Sequence, residues 1–497
     1  MESLDKAKKA DKAPRKFIPI VPLNDETLTD GSEEGAWGEL YQAHQKIYPR
    51  SVQGIFAKWR WGFVFFTQII FYGLPWLEWG QRQAVLFDLG ARRFYILGIV
   101  LYPQDFIYLT GFLVISAFSL FLFTAIAGRL WCGFACPQTV YSEIFMWIER
   151  KVEGNRTARM HLDSQDFSLE KLVKKWYKHV LWIGFSIWTG FTFVGYFTPI
   201  RELGMAFFLG NMSSWEVFWV FFYGFATYGN AGFMREQVCQ YMCPYARFQS
   251  AMFDKDTLIV SYDAERGEPR GSRSKKADLS TLNLGACVDC SLCVQVCPTG
   301  IDIRKGLQYE CIGCGACADV CNTVMDKVGY PRGLVKFSTQ HAMENHWTPS
   351  QTMRHIFRPR VLIYTGILAL VIALLFGSLL NRKSFKVDVV RDRAAMARIV
   401  SGGHIENVYR LQIMNAAEKS QKFRILATGM NDLEVMIDAE DLVVASTQSR
   451  WVSVRLHVPY GSAESGKYPV QFTIETVDDA ENERQKIEEK SVFLIPR

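Results

Sequence analysis

Long apolar runs punctuate the first three quarters of the chain, and the last quarter changes to a two-residue alternation of apolar and polar side chains. Five runs are long enough to cross a bilayer, near 59–77, 106–127, 180–198, 215–234 and 361–380. The second (FIYLTGFLVISAFSLFLFTAIA) and the fifth (VLIYTGILALVIALLFGSLL) carry no charge. The first runs into Pro75 and Glu78, and the fourth holds Glu216 near one end. A shorter apolar piece, 94–102, stops at Pro103-Gln104-Asp105 and is expected to be re-entrant or interfacial. If it spans instead, the count becomes six. Beyond residue 380, SFKVDVV, VYRLQIMN, FRILATG, LEVMID, WVSVRLHV, PVQFTIETV and SVFLIP each suit a strand, with Gly, Asn, Asp and Ser turns between them. Seven or eight strands in about 115 residues predict an immunoglobulin-like β-sandwich, which must fold without a disulfide.

Positive charge orients these spans. Residues 128–179 hold nine Lys or Arg, whereas 199–214 hold only Arg201. With five spans, the N-terminus, the 128–179 loop and the 235–360 region are expected in the cytoplasm. Residues 381–497 then face the periplasm of a Gram-negative envelope. Cysteine usage agrees independently: all twelve cysteines precede residue 322, so the thiol-rich part faces the reducing side. The net charge of +6 fits membrane-loop bias better than a nucleic-acid surface, so no nucleic-acid partner is expected. Residues 1–16 are charged and lack an apolar run, so no cleavable signal peptide is expected.

Eight of the cysteines spell Cys-x2-Cys-x2-Cys-x3-Cys twice, over 287–297 and 311–321. This is the ligand spacing of a two-cluster bacterial ferredoxin, in which the fourth cysteine of each run crosses to the other cluster. One [4Fe–4S] cluster is therefore expected on Cys287, Cys290, Cys293 and Cys321, and a second on Cys311, Cys314, Cys317 and Cys297. Structural zinc or disulfides are the bland alternatives, but zinc ribbons use pairs rather than triplets. Cys297 is followed by Pro298 as in the bacterial pattern, and Cys321 departs from it with Asn322.

The other four form two copies of one motif, Cys132-Gly-Phe-Ala-Cys136-Pro137 and Cys239-Gln-Tyr-Met-Cys243-Pro244. Each follows the cytoplasmic end of an expected span. Proline favours the first helical turn, so Cys136 and Cys243 are expected at the N-caps of helices near 137–151 and 244–253. Helix N-termini and the nearby Arg129, Arg235 and Arg247 predict reactive thiolates. Such thiols can hold Cu(I), cycle through a disulfide, ligate a further cluster, or simply pack as small apolar side chains. His404 and His457, with Met396, Met414, Met430 and Met436, are conceivable copper ligands, but standing singly on strands they read as core or surface residues. His161, His179, His341, His346 and His355 show no ligand spacing.

The stretches RQAVLFDLGARRFYILG, YPQDF, GRLWCGFACPQTVYSEIFMWIERKVEG, CPYARFQSAMFDKDTLIVSYDAERGEPRG and CVDCSLCVQVCPTGIDIRKGLQYECIGC resemble the FixG/RdxA/CcoG family. The resemblance runs from about residue 35 to 380 and, more weakly, through the C-terminal sandwich. It implies an inner-membrane iron–sulfur oxidoreductase that reduces Cu(II) to Cu(I) for assembly of cbb3-type cytochrome c oxidase. In that family the paired motifs, here Cys132/Cys136 and Cys239/Cys243, are implicated in copper handling.

The expected organisation is a multi-domain membrane protein. It comprises a cytoplasmic segment 1–58, a transmembrane helical domain 59–250, a linker and α+β ferredoxin-like domain 251–360, a helix 361–380 and an all-β periplasmic sandwich 381–497. The implied partners are the bilayer, a cytosolic electron donor, and a copper transporter or oxidase-assembly proteins. No Rossmann or flavin motif supplies a built-in donor. Two rival functions are a quinol-linked relay to a periplasmic reductase, which would not need a large exported sandwich, and a non-catalytic redox-sensing scaffold.

Overall fold

A computed structural model describes residues 46–80, 82–273, 283–392, 397–437, 442–477 and 484–496. Residues 1–45 of the expected N-terminal segment, and Met396, lie outside them. The chain forms two compact units, one of Met1–Leu74, Phe112–Gly195 and Ile200–Leu370, the other of Pro75–Gly111, Tyr196–Pro199 and Val371–Arg497.

All five apolar runs fall on helices: α1 (Ile55–Gly73), α2 (Phe106–Ala127), α6 (Leu169–Val194), α8 (Ser214–Gly229) and α12 (Pro359–Leu380). Between α2 and α6 lie α3 (Leu130–Phe134), α4 (Pro137–Val152) and α5 (Arg156–Ser164), and α7 (Ile200–Leu209) precedes α8. Among the described residues two helices, Pro103–Ala127 and Pro359–Leu380, are long and apolar enough to cross a membrane. Charge dilutes α1 through Lys58 and Arg60, and α6 through Lys171, Lys174, Lys175 and Lys178; α8 has only 16 residues. Small residues let α6 and α8 touch. A Cβ on Gly190 would stand 2.2 Å from the Val220 carbonyl oxygen, a close approach of the kind that holds helices together in lipid.

After α8 the chain makes two π-helical turns, Asn230–Met234 and Val238–Met242, before α9 (Pro244–Met252). A small α+β lobe follows in the same unit. Strands β4 (Ile259–Tyr262) and β5 (Val335–Ser338) pair antiparallel, and α10 (Leu292–Gln295) and α11 (Ala316–Val328) carry the cysteine runs. Val260, Ile303, Met325, Leu334 and Val335 form its core. The lobe also caps the first helix. Gly54 at the N-cap of α1 has no side chain to offer, and the buried Asp319 carboxylate of α11 accepts from the backbone N–H of Phe56 at 3.3 Å and of Ala57 at 2.8 Å.

In the second unit the 94–102 piece is not a spanning helix. It supplies most of a three-stranded antiparallel sheet, β1 (Val85–Asp88), β2 (Arg93–Ile96) and β3 (Ile99–Leu101). Its Phe, Tyr, Ile and Val alternate across the pleat, and positive φ at Arg92 and Leu97 makes the reversals. Leu86, Tyr95, Val100 and Tyr102 bury against Met414, and the Tyr102 hydroxyl donates to the Asn415 carbonyl at 2.8 Å.

The C-terminal region is a two-sheet sandwich with nine strands among the described residues, against the seven or eight expected. One sheet runs β10 (Glu434–Ile437), β12 (Ser449–Pro459), β8 (His404–Asn415), β6 (Phe385–Arg391), with β7 (Arg398–Val400) also on β8. The other runs β11 (Leu442–Val444), β9 (Gln421–Thr428), β13 (Gly466–Thr476), β14 (Lys486–Ile495). The two extra strands, β7 and β11, are three residues each, too short for alternation to register. Phe385, Tyr409, Leu411, Phe423, Phe472 and Phe493 fill the space between sheets. Among the described residues the imagined copper ligands form no metal-holding group, although the His404 and His457 rings lie 6.1 Å apart. His457 Nε2 is 2.7 Å from the Glu406 carboxylate, Met414 lies in the core with Tyr102, and Met436 is exposed.

Candidate metal centre

The eight ferredoxin-type cysteines are brought into two groups by short left-handed turns. Asp289, Ser291, Gly313 and Gly315 all have φ between 52° and 72°, bending the chain between successive cysteines. Cys321 on α11 stands against Cys293, Cys287 and Cys290, although it belongs to the other run. Cys297 stands against Cys314, and Cys317 against Cys314, Cys311 and Cys297. Cys293, Cys297, Cys311, Cys314 and Cys317 line one small cavity, with Val260, Ile301 and Ile303 around them. Its sulfur donors in an apolar surround suit an iron–sulfur cluster and offer nothing to a hard cation. Burial first, and thiol–thiol repulsion second, push Cys311 up to about 12; burial likewise holds Cys293 at about 11 and Cys321 at about 12. Cluster binding would therefore displace protons from these thiols.

The four remaining cysteines also meet. Cys132 interacts with Cys136 and Cys239, Cys136 with Cys243, and Cys239 with Cys136 and Cys243. Local sequence explains each position. Cys136 is the extended N-cap of α4 with Pro137 behind it. Cys243 is the N-cap of α9 with Pro244 behind it. Both N-caps are where the Cys-Pro pairs predict them. Cys239 lies in the second π turn, a distortion often found at functional sites. Cys132 Sγ is 3.4 Å from Gln249 Oε1, and Gln249 is fully buried.

Cys132, Cys136 and Cys239 are not the reactive thiolates expected. Burial raises Cys132 to about 12 and Cys239 to about 11, and raises Cys136 as well, outweighing the helix N-terminus and Arg129. Arg235 is committed elsewhere, pairing with Glu149 at 2.8 Å; the Arg247 side chain lies outside the described residues.

Cys132 packs against Ile312 and Cys314 of the ferredoxin lobe; two further features link the rim to that lobe, and a third joins the rim's own two halves. A Cβ on Gly133 would lie 2.8 Å from Cys314 Cα and 2.8 Å from the Ile312 carbonyl oxygen. The loop of the second run therefore rests directly on the Cys132–Gly133 backbone. Arg129, buried, donates to the carbonyls of Tyr309, Cys311 and Ala246, joining the first motif, the second run and α9. Gln138 donates to the carbonyls of Asn230 (2.9 Å) and Arg235 (3.0 Å), tying α4 to the approach of the second motif. The one signal available beforehand was the glycine beside Cys132, where the second motif has Gln240. Only the first copy can press its backbone against another loop.

Comparison with known proteins accords with this geometry. A "4Fe-4S dicluster domain" family model matches residues 234–340, a "4Fe-4S binding domain" model matches 109–155, and a model of the "IG-like fold at C-terminal of FixG" matches 375–496. The chain is 38% identical over 425 residues to "Nitrogen fixation protein FixG" of Rhizobium meliloti (strain 1021), covering 79% of this chain and 81% of that one. It is 37% identical over 436 residues to "Protein RdxA" of Cereibacter sphaeroides, covering 85% and 91%. Among solved structures, a FixG-related protein from Vibrio parahaemolyticus matches 23% of this chain and 97% of its own at 20% identity, with a TM-score of 0.20.

Proposed function

The chain belongs to the FixG/RdxA/CcoG family, and from that premise we propose that it is an inner-membrane electron-transfer protein reducing Cu(II) to Cu(I) for assembly of cbb3-type cytochrome c oxidase. One observation carries the electron path: the second cysteine run rests on the Cys132–Gly133 backbone, so ferredoxin lobe and rim thiols form a continuous relay. Bound [4Fe–4S] clusters would each supply one transferable electron, and each Cu(II) takes one, Cu²⁺ + e⁻ → Cu⁺. Cys287, Cys290, Cys293 and Cys321 would hold one cluster, and Cys311, Cys314, Cys317 and Cys297 the other, as their grouping supports.

The protein's own residues do the rest. Arg129 fixes the distance between lobe and rim through its three carbonyl contacts. Cys132, Cys136, Cys239 and Cys243 are the last station, where soft sulfur donors favour the reduced over the oxidised copper substrate. The donor is a cytosolic one-electron carrier or small reductant, and the product passes to a copper transporter or to oxidase-assembly proteins. Five spans, with the lobe cytoplasmic and the sandwich periplasmic, accord with the lysine and arginine bias.

The test is anaerobic. The purified, cluster-loaded full chain is reduced, freed of reductant and mixed with Cu(II) and a Cu(I)-specific chelator. About one Cu(I) per stored electron is expected. Oxidation of a quinol without copper reduction would favour the quinol relay, and turnover of neither substrate would favour the scaffold.

A further inference from the structure

The rim thiols are four soft donors gathered from two motifs, and their arrangement bears on what they hold. Among the described residues no three His, Cys, Asp or Glu side chains stand close enough together to hold a single metal ion. That applies equally to the two ferredoxin sets, whose cysteines are spaced for a cube of iron and sulfide rather than for one ion. Cys132, Cys136, Cys239 and Cys243 are all free of disulfides, and the two motifs are held side by side: Cys132 Sγ lies 3.4 Å from Gln249 Oε1 on α9, and Arg129 donates to the Ala246 carbonyl of the same helix.

A second observation is independent of the geometry. The 4Fe–4S family model matched over 109–155 covers a stretch whose cysteines are Cys132 and Cys136 alone. A cubane takes four thiolates, so two are missing from that stretch. The fold supplies them as Cys239 and Cys243.

The surroundings suit an anion. A tetrathiolate cubane carries net negative charge, and two of the four sulfurs sit at the N-termini of α4 (16 residues) and α9 (nine residues), where unpaired backbone N–H groups gather. Arg129 adds a buried positive charge that acts on both Cys132 and Cys239.

We infer that Cys132, Cys136, Cys239 and Cys243 ligate a third [4Fe–4S] cluster, two thiolates from each Cys-x3-Cys-Pro motif. The inference deepens the proposed relay and rests on it only for the cluster's purpose. The four thiols are then cluster ligands in place of the copper donors proposed above, and copper is a substrate reduced at the rim.

Iron and acid-labile sulfide are counted on the full-length protein purified anaerobically in detergent, with Mössbauer and EPR spectra of the same samples. Roughly twelve irons and twelve sulfides per chain are expected, at four per cluster. The C132S/C136S/C239S/C243S variant should lose four of each and keep both ferredoxin signals. Cys243→Ser alone, at a half-exposed position, gives the same loss with less risk to folding. Eight irons in wild type and variants alike would overturn the inference. So would one copper per chain, lost in the quadruple variant, on a wild type that carries eight irons; the copper relay itself would survive that result. Twelve irons with no Cu(II) reduction would leave the third cluster standing and remove the proposed copper chemistry.

Discussion

Gly133 and Cys314 approach so closely that a methyl group on Gly133 would stand 2.8 Å from Cys314 Cα. The neighbouring atoms are backbone, which cannot swing aside. Gly133→Ala should therefore cost about 1–3 kcal/mol, the usual range for overpacking a tight contact. It should also perturb the EPR signal of the cluster on Cys311, Cys314, Cys317 and Cys297 while leaving the other signal unchanged. An alanine variant with wild-type melting temperature and both signals intact would refute the contact.

The two fourth cysteines separate the clusters. Cys297→Ser should remove the cluster that Cys311, Cys314 and Cys317 share, and Cys321→Ser the one on Cys287, Cys290 and Cys293. Each variant is expected to lose four irons and a different EPR signal. Loss of the same signal from both would sink the crossover assignment.

Asp319 supplies the cap that Gly54 lacks, by accepting from Phe56 and Ala57. Asp319→Ala should cost about 1–2 kcal/mol and open the first turn of α1. Asp319→Asn, which keeps an acceptor, should cost less. Hydrogen exchange at the Phe56 and Ala57 amides reads this directly, and unchanged protection in the alanine variant would count against the cap.

Glu149 holds the rim's two arms together by pairing with Arg235 at 2.8 Å and Arg159 at 3.0 Å. Burial alone would raise its pKa, but Arg235, then Arg159 and Lys178, more than offset it, and the carboxyl lies below its ordinary 4.5. A depressed pKa means the stabilisation is present above that ordinary value and is lost as pH falls through the folded one. Glu149→Gln should cost about 3 kcal/mol at pH 7, because it strands two buried guanidinium groups. The gap between wild type and variant in thermal melts should narrow as pH drops below 4.5. A gap constant from pH 7 to pH 4 would contradict this.

The helices were readable because apolar runs report directly on burial in lipid or core, and the sandwich strands because alternation reports on a half-buried pleat. The 94–102 piece misled because a short apolar run looks alike as a membrane turn or a covered strand. What separates the two is Met414 and Asn415, more than three hundred residues away, which bury it. The rim thiols misled differently: local sequence placed two at helix N-termini, where thiols acidify, but burial set by other elements pushed Cys132, Cys136 and Cys239 the other way.

By itself the sequence determined which residues carry the chemistry. Cysteine spacing is a local property, since a loop that wraps a cube of iron and sulfide needs its thiols at fixed short intervals, and Cys-Pro sets a helix N-cap within one turn. Tertiary structure decided how those residues are grouped and joined. Bringing Cys239 and Cys243 to Cys132 and Cys136, seating Cys314 on Gly133, and bridging them with Arg129 all depend on contacts between distant segments. Such contacts are selected by close packing and by the need to satisfy buried polar groups, and neither leaves a periodic trace along the chain.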